Sequence, residues 1–229
     1  MEPTTSVIIS PKQHQNAKGV CIVIDVLRAS SVEAHLFLCE AKTIIPQASI
    51  ESTLEMKKKD PTVVLIGERG GKKYEGFDFG NSPTELLNNK DLIKGKVCVH
   101  NTQQGTQSLV ACINNPNVTD VFMCSPNNCQ ATIDYVKKMK PSHVTFVASG
   151  DEIACREDLL FGMYLEALFL DKKPPQTYKE MIDDVKNASG SKFFKNVSYF
   201  PEVDFYECYK LDLVDVVMKF VDGEIKCVH

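Results

Sequence analysis

Gly19-Val20-Cys21-Ile22-Val23-Ile24-Asp25-Val26-Leu27-Arg28-Ala29-Ser30-Ser31 decides the fold. Five of its first six residues are apolar, which reads as a strand buried on both faces. Polarity begins abruptly at Asp25, and Ser30 or Ser31 reads as the cap of a helix reaching to about Ala41. A buried strand that turns straight into a helix is the repeating unit of α/β proteins. The alternation recurs along the chain. Strands are predicted at 43–45, 62–66, 96–100, 120–123 and 143–148, with helices over 50–59, 83–88, 105–113, 127–139 and 155–170.

Lys172-Lys173-Pro174-Pro175 ends this series as a connector, and 178–186 is again helical in pattern. Phe205 to Tyr209, Val214 to Val221 and Glu224 to Val228 read as closing strands, the last two pairing antiparallel around Asp222-Gly223. The 229 residues fit one domain, 1–229, with 172–229 as a C-terminal elaboration. A formal charge of −4 with 24% charged residues excludes a chain that coats nucleic acid, and no apolar run approaches the ~20 residues that span a bilayer. Any anionic ligand must then be attracted by local groups. Nine cysteines without a Cys-x-x-Cys pair, three of them in strand-like runs, read as reduced core thiols, and the N-terminus carries no export signal. Both features point to the cytoplasm. Nothing in the sequence decides between a monomer and a homodimer.

Of 26 basic residues only three are arginine, and each lies beside carboxylates: Asp25 with Arg28, Glu68 with Arg69, and Arg156 with Glu157 and Asp158. Guanidinium holds two oxygens at once, so these positions are either local ion pairs or anion-binding groups. Five segments follow predicted strands: 25–31, 67–71, 101–107, 124–128 and 149–158. In open α/β sheets the ligand crevice lies beyond the carboxyl ends of strands, where helix N-termini offer free N–H groups. Asp25 there can ligate a hard cation, accept a proton or attack phosphorus. Arg28 can neutralise Asp25 or a bound phosphate.

The stretch Gly76-Phe77-Asp78-Phe79-Gly80-Asn81-Ser82-Pro83 places Ser82 as a helix cap before Pro83 and leaves Asp78 and Asn81 without a local structural reason. Asn101-Thr102-Gln103-Gln104-Gly105-Thr106-Gln107 brings uncharged donors to a helix start, suited to an oxyanion, without the spacing of a Walker loop. Ser125 to Asn128 offers further caps, and His100 reads as structural. Carboxylates, arginines and small-residue loops without a histidine cluster suggest a magnesium-type oxygen site holding an anion, the set that phosphoryl transfer needs. Two phosphatase designs are excluded: Leu27 stands where Asp-x-Asp needs its second acid, and no cysteine is followed after five residues by arginine.

Asp25-Val-Leu-Arg28-Ala29-Ser30, Gly67-Glu68-Arg69, Gly76 to Pro83, Asn101 to Thr106 and Glu157-Asp158, in this order, resemble the 2-phosphosulfolactate phosphatase family over about residues 18–170. The resemblance implies a three-layer α/β/α fold with a mostly parallel or mixed sheet. It also implies a Mg2+-dependent phosphatase for phosphate esters of small 2-hydroxy acids, the family's named substrate being 2-phospho-3-sulfolactate of coenzyme M synthesis. Carried onto this chain, it makes Asp25 and Glu68 the magnesium ligands and Arg28 and Arg69 the groups that bind phosphoryl and acid. Asp78 or Asp158 assists the attacking water, with a covalent aspartyl intermediate at Asp25 left open. Asn81, Ser82, Thr102, Gly105, Thr106 and Asn128 complete the substrate contacts. The family's loop usually reads Thr-Asn-Gly-Thr followed by arginine, whereas Gln104 and Gln107 stand here. A phospho-ligand-binding module without catalysis is the alternative.

Overall fold

The computed structural model describes residues 3–10, 12–102, 104–150 and 155–228. Among these, ten strands form one mixed sheet flanked by helices, a three-layer α/β/α arrangement. In chain order the strands are β1 (Thr4–Ser10), β2 (Gly19–Ile24), β3 (Thr43–Gln47), β4 (Val64–Arg69), β5 (Lys72–Lys73), β6 (Val97–Asn101), β7 (Val118–Cys124), β8 (His143–Ser149), β9 (Val217–Val221) and β10 (Glu224–Val228). The spatial order is β1-β8-β2-β7-β9-β10-β3-β6-β4-β5.

Two parallel wings make up the sheet. In the first, β1, β8, β2 and β7 pair in parallel; in the second, β3, β6 and β4 do. Between them lies the β9–β10 hairpin, and the pairings β7–β9, β9–β10 and β10–β3 are all antiparallel. Three reversals in succession turn the second wing against the first. Asp222 and Gly223, both at positive φ, make the hairpin turn the sequence predicts.

In β2, Val20, Ile22 and Ile24 join one core and Cys21 and Val23 another, the period-2 pattern of a strand covered on both sides. On the Val20 side pack α6 (Cys129–Met139) and α7 (Arg156–Phe169), together with α8 (Tyr178–Asn187) and α9 (Glu202–Cys208). The opposite face is covered by α1 (Ala29–Leu38) and α5 (Gln104–Ile113), the latter leaving β6 of the second wing to pack beneath the first. Against the second wing lie α2 (Ile50–Lys59) and the short helices α3 (Pro83–Asn88) and α4 (Lys90–Ile93).

Several expectations are corrected. Residues 205–209 are not a strand: Phe205 and Cys208 are buried one helical turn apart within α9, and so short an apolar run does not distinguish the two periods. The closing strand begins at Val217 rather than Val214. Strand β1, polar at its start, escapes the sequence pattern because it lies at a sheet edge beside β8 alone. Helix α1 starts at Ala29 without a serine cap; instead Asp25 Oδ1 accepts the Ala29 N–H at 3.0 Å, while Ser30 and Ser31 bond to the backbone of Asp25 and Val26. Glu68 and Arg69 end β4 itself, and Gly70-Gly71, both at positive φ, turn into β5. Eight of the nine cysteines are buried, in keeping with core positions.

Candidate active site

Both wings deliver loops to one cleft of about 220 Å³. The first wing contributes Asp25, Leu27, Arg28 and Ala29; the second contributes Glu68, Gly70, Gly71, Asn81, Thr102 and Gln104. Lys192 and Phe200 from the C-terminal segment close its edge. The lining is mostly polar, with two carboxylates facing two cations.

Asp25 is the best-framed group. It is 8% exposed, and its carboxylate lies at the starts of two helices. Oδ1 takes the first N–H of α1, and a Cβ added at Gly105 in α5 would come within 3.0 Å of Oδ2. Glycine thus leaves room beside that oxygen. Burial pushes the Asp25 carboxyl up from the usual range, and the Ala29 N–H and the charge of Lys192 work against that push.

Behind Asp25, at the start of α7, two more acids are buried: Glu157 at 2% and Asp158 at 1% exposure. Asp158 accepts the Val26 N–H at 2.8 Å through Oδ1 and the Ser149 hydroxyl at 3.0 Å through Oδ2. Burial first, then the charges of Glu157 and Asp25, hold its carboxyl well above the ordinary value. Burial also pushes Glu157 up to about 7. Its Oε2 is buried without a hydrogen-bond partner among the described residues. Among the described residues Cys155 Sγ, Glu157 and Asp158 bring ligand atoms within 4.8 Å of one another, and the orphaned Glu157 oxygen and the room beside Asp25 Oδ2 add the oxygen donors that a hard divalent cation prefers. Asp25 and Glu157 fit such an ion better than Asp158, both of whose oxygens already serve protein donors.

The remaining predicted residues divide. Glu68 lines the cleft opposite Asp25, and its Oε2 accepts the Gly71 N–H. Thr102 lines it too, with its hydroxyl 3.1 Å from that of Thr106. Asn81 is 6% exposed, and its Oδ1 lies 3.0 Å from His100 Nε2 while His100 Nδ1 lies 3.1 Å from Glu33 Oε1. If Nε2 carries the proton, the Asn81 carbonyl is occupied and its amide N–H groups are left for the cleft. His100 is thus structural, yet structural to the site.

Arg28 is buried at 4% exposure. Its Nη1 donates to Asp204 Oδ2 at 2.9 Å and to the Tyr199 carbonyl at 3.1 Å, and its guanidinium lies over the rings of Phe200 and Phe193 at 5.0 and 5.5 Å. Asp204 in turn accepts from Ser82 Oγ and from the backbone and hydroxyl of Thr84. Ser82 also caps α3, so it lines only an adjoining recess that Arg28 and Asn81 share.

Arg69, Asp78 and Asn128, like Ser82, Gly105, Thr106 and Asp158, do not line the cleft. Arg69 donates to the carbonyls of Glu68 and Ala48, and Asp78 is exposed, taking Lys57 Nζ and the Leu65 N–H at 2.8 Å each. Asn128 is fully buried and bonded to Ser125, Met123, Thr132 and Val216, which closes the capping role and leaves no side-chain group for a ligand. Arg156 pairs with Asp184 on the surface. Gln103 and Asp151 lie outside the described residues. Gln104, at the loop position that departs from the family pattern, accepts from Cys155 Sγ at 3.2 Å and ties α5 to α7. Nothing in the sequence singles out Lys192, one of 23 lysines.

The family profile of 2-phosphosulpholactate phosphatase matches residues 8–223. Among curated relatives, a protein of Clostridium perfringens (strain SM101 / Type A) is 31% identical over 228 residues, covering 92% of this chain and 89% of its own length. One of Caldicellulosiruptor saccharolyticus is 31% identical over 221 residues, covering 87% and 88%. A third, of Thermotoga petrophila, is 29% identical over 212 residues, covering 88% and 89%. All three carry the name probable 2-phosphosulfolactate phosphatase. No described helix is long and apolar enough to cross a membrane.

Proposed function

The chain belongs to the 2-phosphosulfolactate phosphatase family, and from that premise we propose that it hydrolyses a small 2-phospho-hydroxy acid, such as 2-phospho-3-sulfolactate, in a magnesium-dependent reaction. It is a phosphoric monoester hydrolase. The observation that carries the finer reading is the position of Asp25: a buried carboxylate, open to a small polar cleft, framed by two helix starts and backed by Glu157 and Asp158.

Asp25 and Glu157 would hold the magnesium, with Glu68 the further carboxylate available from the other wing. Bound there, the ion supplies positive charge to the non-bridging phosphoryl oxygens. The protein supplies the rest of the cradle. Thr102 and the Asn81 amide, beside the start of α5, offer uncharged donors to the same oxygens. Asp158, fixed by Val26 and Ser149, is placed to hold a proton close to Asp25. The volume of about 220 Å³ suits a substrate of a few carbons rather than a phosphoprotein segment.

Release of inorganic phosphate from 2-phospholactate and 2-phospho-3-sulfolactate, with and without magnesium, tests the proposal. Turnover that needs magnesium and fails in Asp25→Asn supports it. Tight binding without turnover favours a phospho-ligand-binding module.

A further inference from the structure

The two cations of the cleft are in opposite electrostatic situations. Arg28 forms a 2.9 Å ion pair with Asp204, whose side chain is fully buried, so its charge is matched within the protein. Lys192, from the 3₁₀ turn Ser189–Phe194, makes no ion pair and no hydrogen bond among the described residues. Its ammonium stands over the rings of Phe200 and Phe193 at 5.2 and 5.8 Å, the same two rings that Arg28 covers. Those rings hold the lysine stem at the cleft edge and leave its three N–H donors unclaimed.

Lys192 lines the cleft together with Asp25, and its charge works against the upward shift of both the Asp25 carboxyl and that of Glu157 behind it. An anion set between Lys192 and Asp25 would lie in the cleft that Asn81, Thr102 and Gln104 at the start of α5 also line, among the donors a phosphoryl group needs. We propose that Lys192 is the phosphoryl-binding cation of this cleft, a role usually looked for among the arginines. The inference rests on the phosphate-ester reading of the site.

The test uses the full chain loaded with magnesium, with inorganic phosphate as the probe in calorimetry, and phenyl phosphate and 2-phospholactate as substrates. Lys192→Met is expected to weaken phosphate binding and raise KM for both esters alike, by about ten- to a hundredfold, the usual range for one charge-assisted hydrogen bond. Lys192→Arg should recover most of the loss, and it controls for disturbance of the turn. Unchanged phosphate affinity and unchanged KM in Lys192→Met overturn the inference while leaving the phosphatase reading intact. A loss confined to 2-phospholactate overturns it too, because the lysine would then hold the carboxylate. If the wild type binds phosphate in a Lys192-dependent way but hydrolyses neither ester, the inference stands and the phosphatase reading falls.

Discussion

At the end of β2, Asp25 and Arg28 are buried, whereas at the end of β4 Glu68 and Arg69 are half-buried. The sequence writes both corners in the same way, an apolar strand followed by an acid and an arginine. The fold uses them differently. In the first wing, α7 covers the corner from behind and α9 supplies Asp204, so every charge there must find a partner inside the protein. The second corner lies on a short hairpin at the sheet edge, where Arg69 is held by two carbonyl oxygens and Glu68 by one backbone N–H. A shared local formula therefore places an acid at the cleft, and the cover above it decides what the arginine does.

The comparison breaks first on activity. Asp25→Asn should lower kcat/KM for a 2-phospho-hydroxy acid by about a thousandfold or more with the fold intact, while Glu68→Gln should cost only about ten- to a hundredfold. Equal losses in a magnesium-dependent phosphate-release assay would put the two wings on the same footing. Stability separates the arginines next. Arg28→Met leaves Asp204 charged and buried, so urea unfolding should report a loss of about 3–5 kcal/mol, partly restored by pairing it with Asp204→Leu. No loss in the single variant would mean that the ion pair does not hold the C-terminal segment to the cleft.

The acids behind Asp25 make a pH-dependent prediction of similar size. In magnesium-free protein Glu157 titrates near 7 when folded against an ordinary 4.5, so the unfolded chain releases its proton first as pH rises. Its contribution is therefore complete below pH 4.5 and is lost as pH climbs to 7, on the order of 3 kcal/mol. Thermal melts across that window should show the decline, and Glu157→Gln or added magnesium should flatten it. The smallest effect belongs to the second wing: Arg69→Gln should change stability by about 1 kcal/mol or less. A larger change in urea unfolding would contradict the edge assignment.

Much of the fold was legible because it is written locally. Gly19 to Ile24 is apolar without interruption because both faces of β2 are covered, and Asp222-Gly223 suits a tight hairpin turn. Ser82 and Pro83 announce the start of α3 for equally local reasons. The run from Phe205 to Tyr209 misled because apolar residues one turn apart in a short helix resemble a strand. In the site, Asp25, Glu68 and Thr102 were recognisable as polar groups following strands, and Asn81 as a residue its loop left without a local structural reason. Lys192 was not, since a lysine in a surface turn has no sequence signature and gains meaning only from what lies opposite.

By itself, then, the sequence determined the alternation of strands and helices and the inventory of acids and small donors at the strand ends, properties set within a few residues of chain. Only the tertiary structure decided how the two wings join, because the hairpin between them comes from the last thirteen residues. It also decided which cation is matched and which stays available. Arg28 meets Asp204 across 176 positions, and Lys192 reaches the cleft of Asp25 only through the folded C-terminal segment. Charge pairing depends on distance in space, and no local pattern carries that distance.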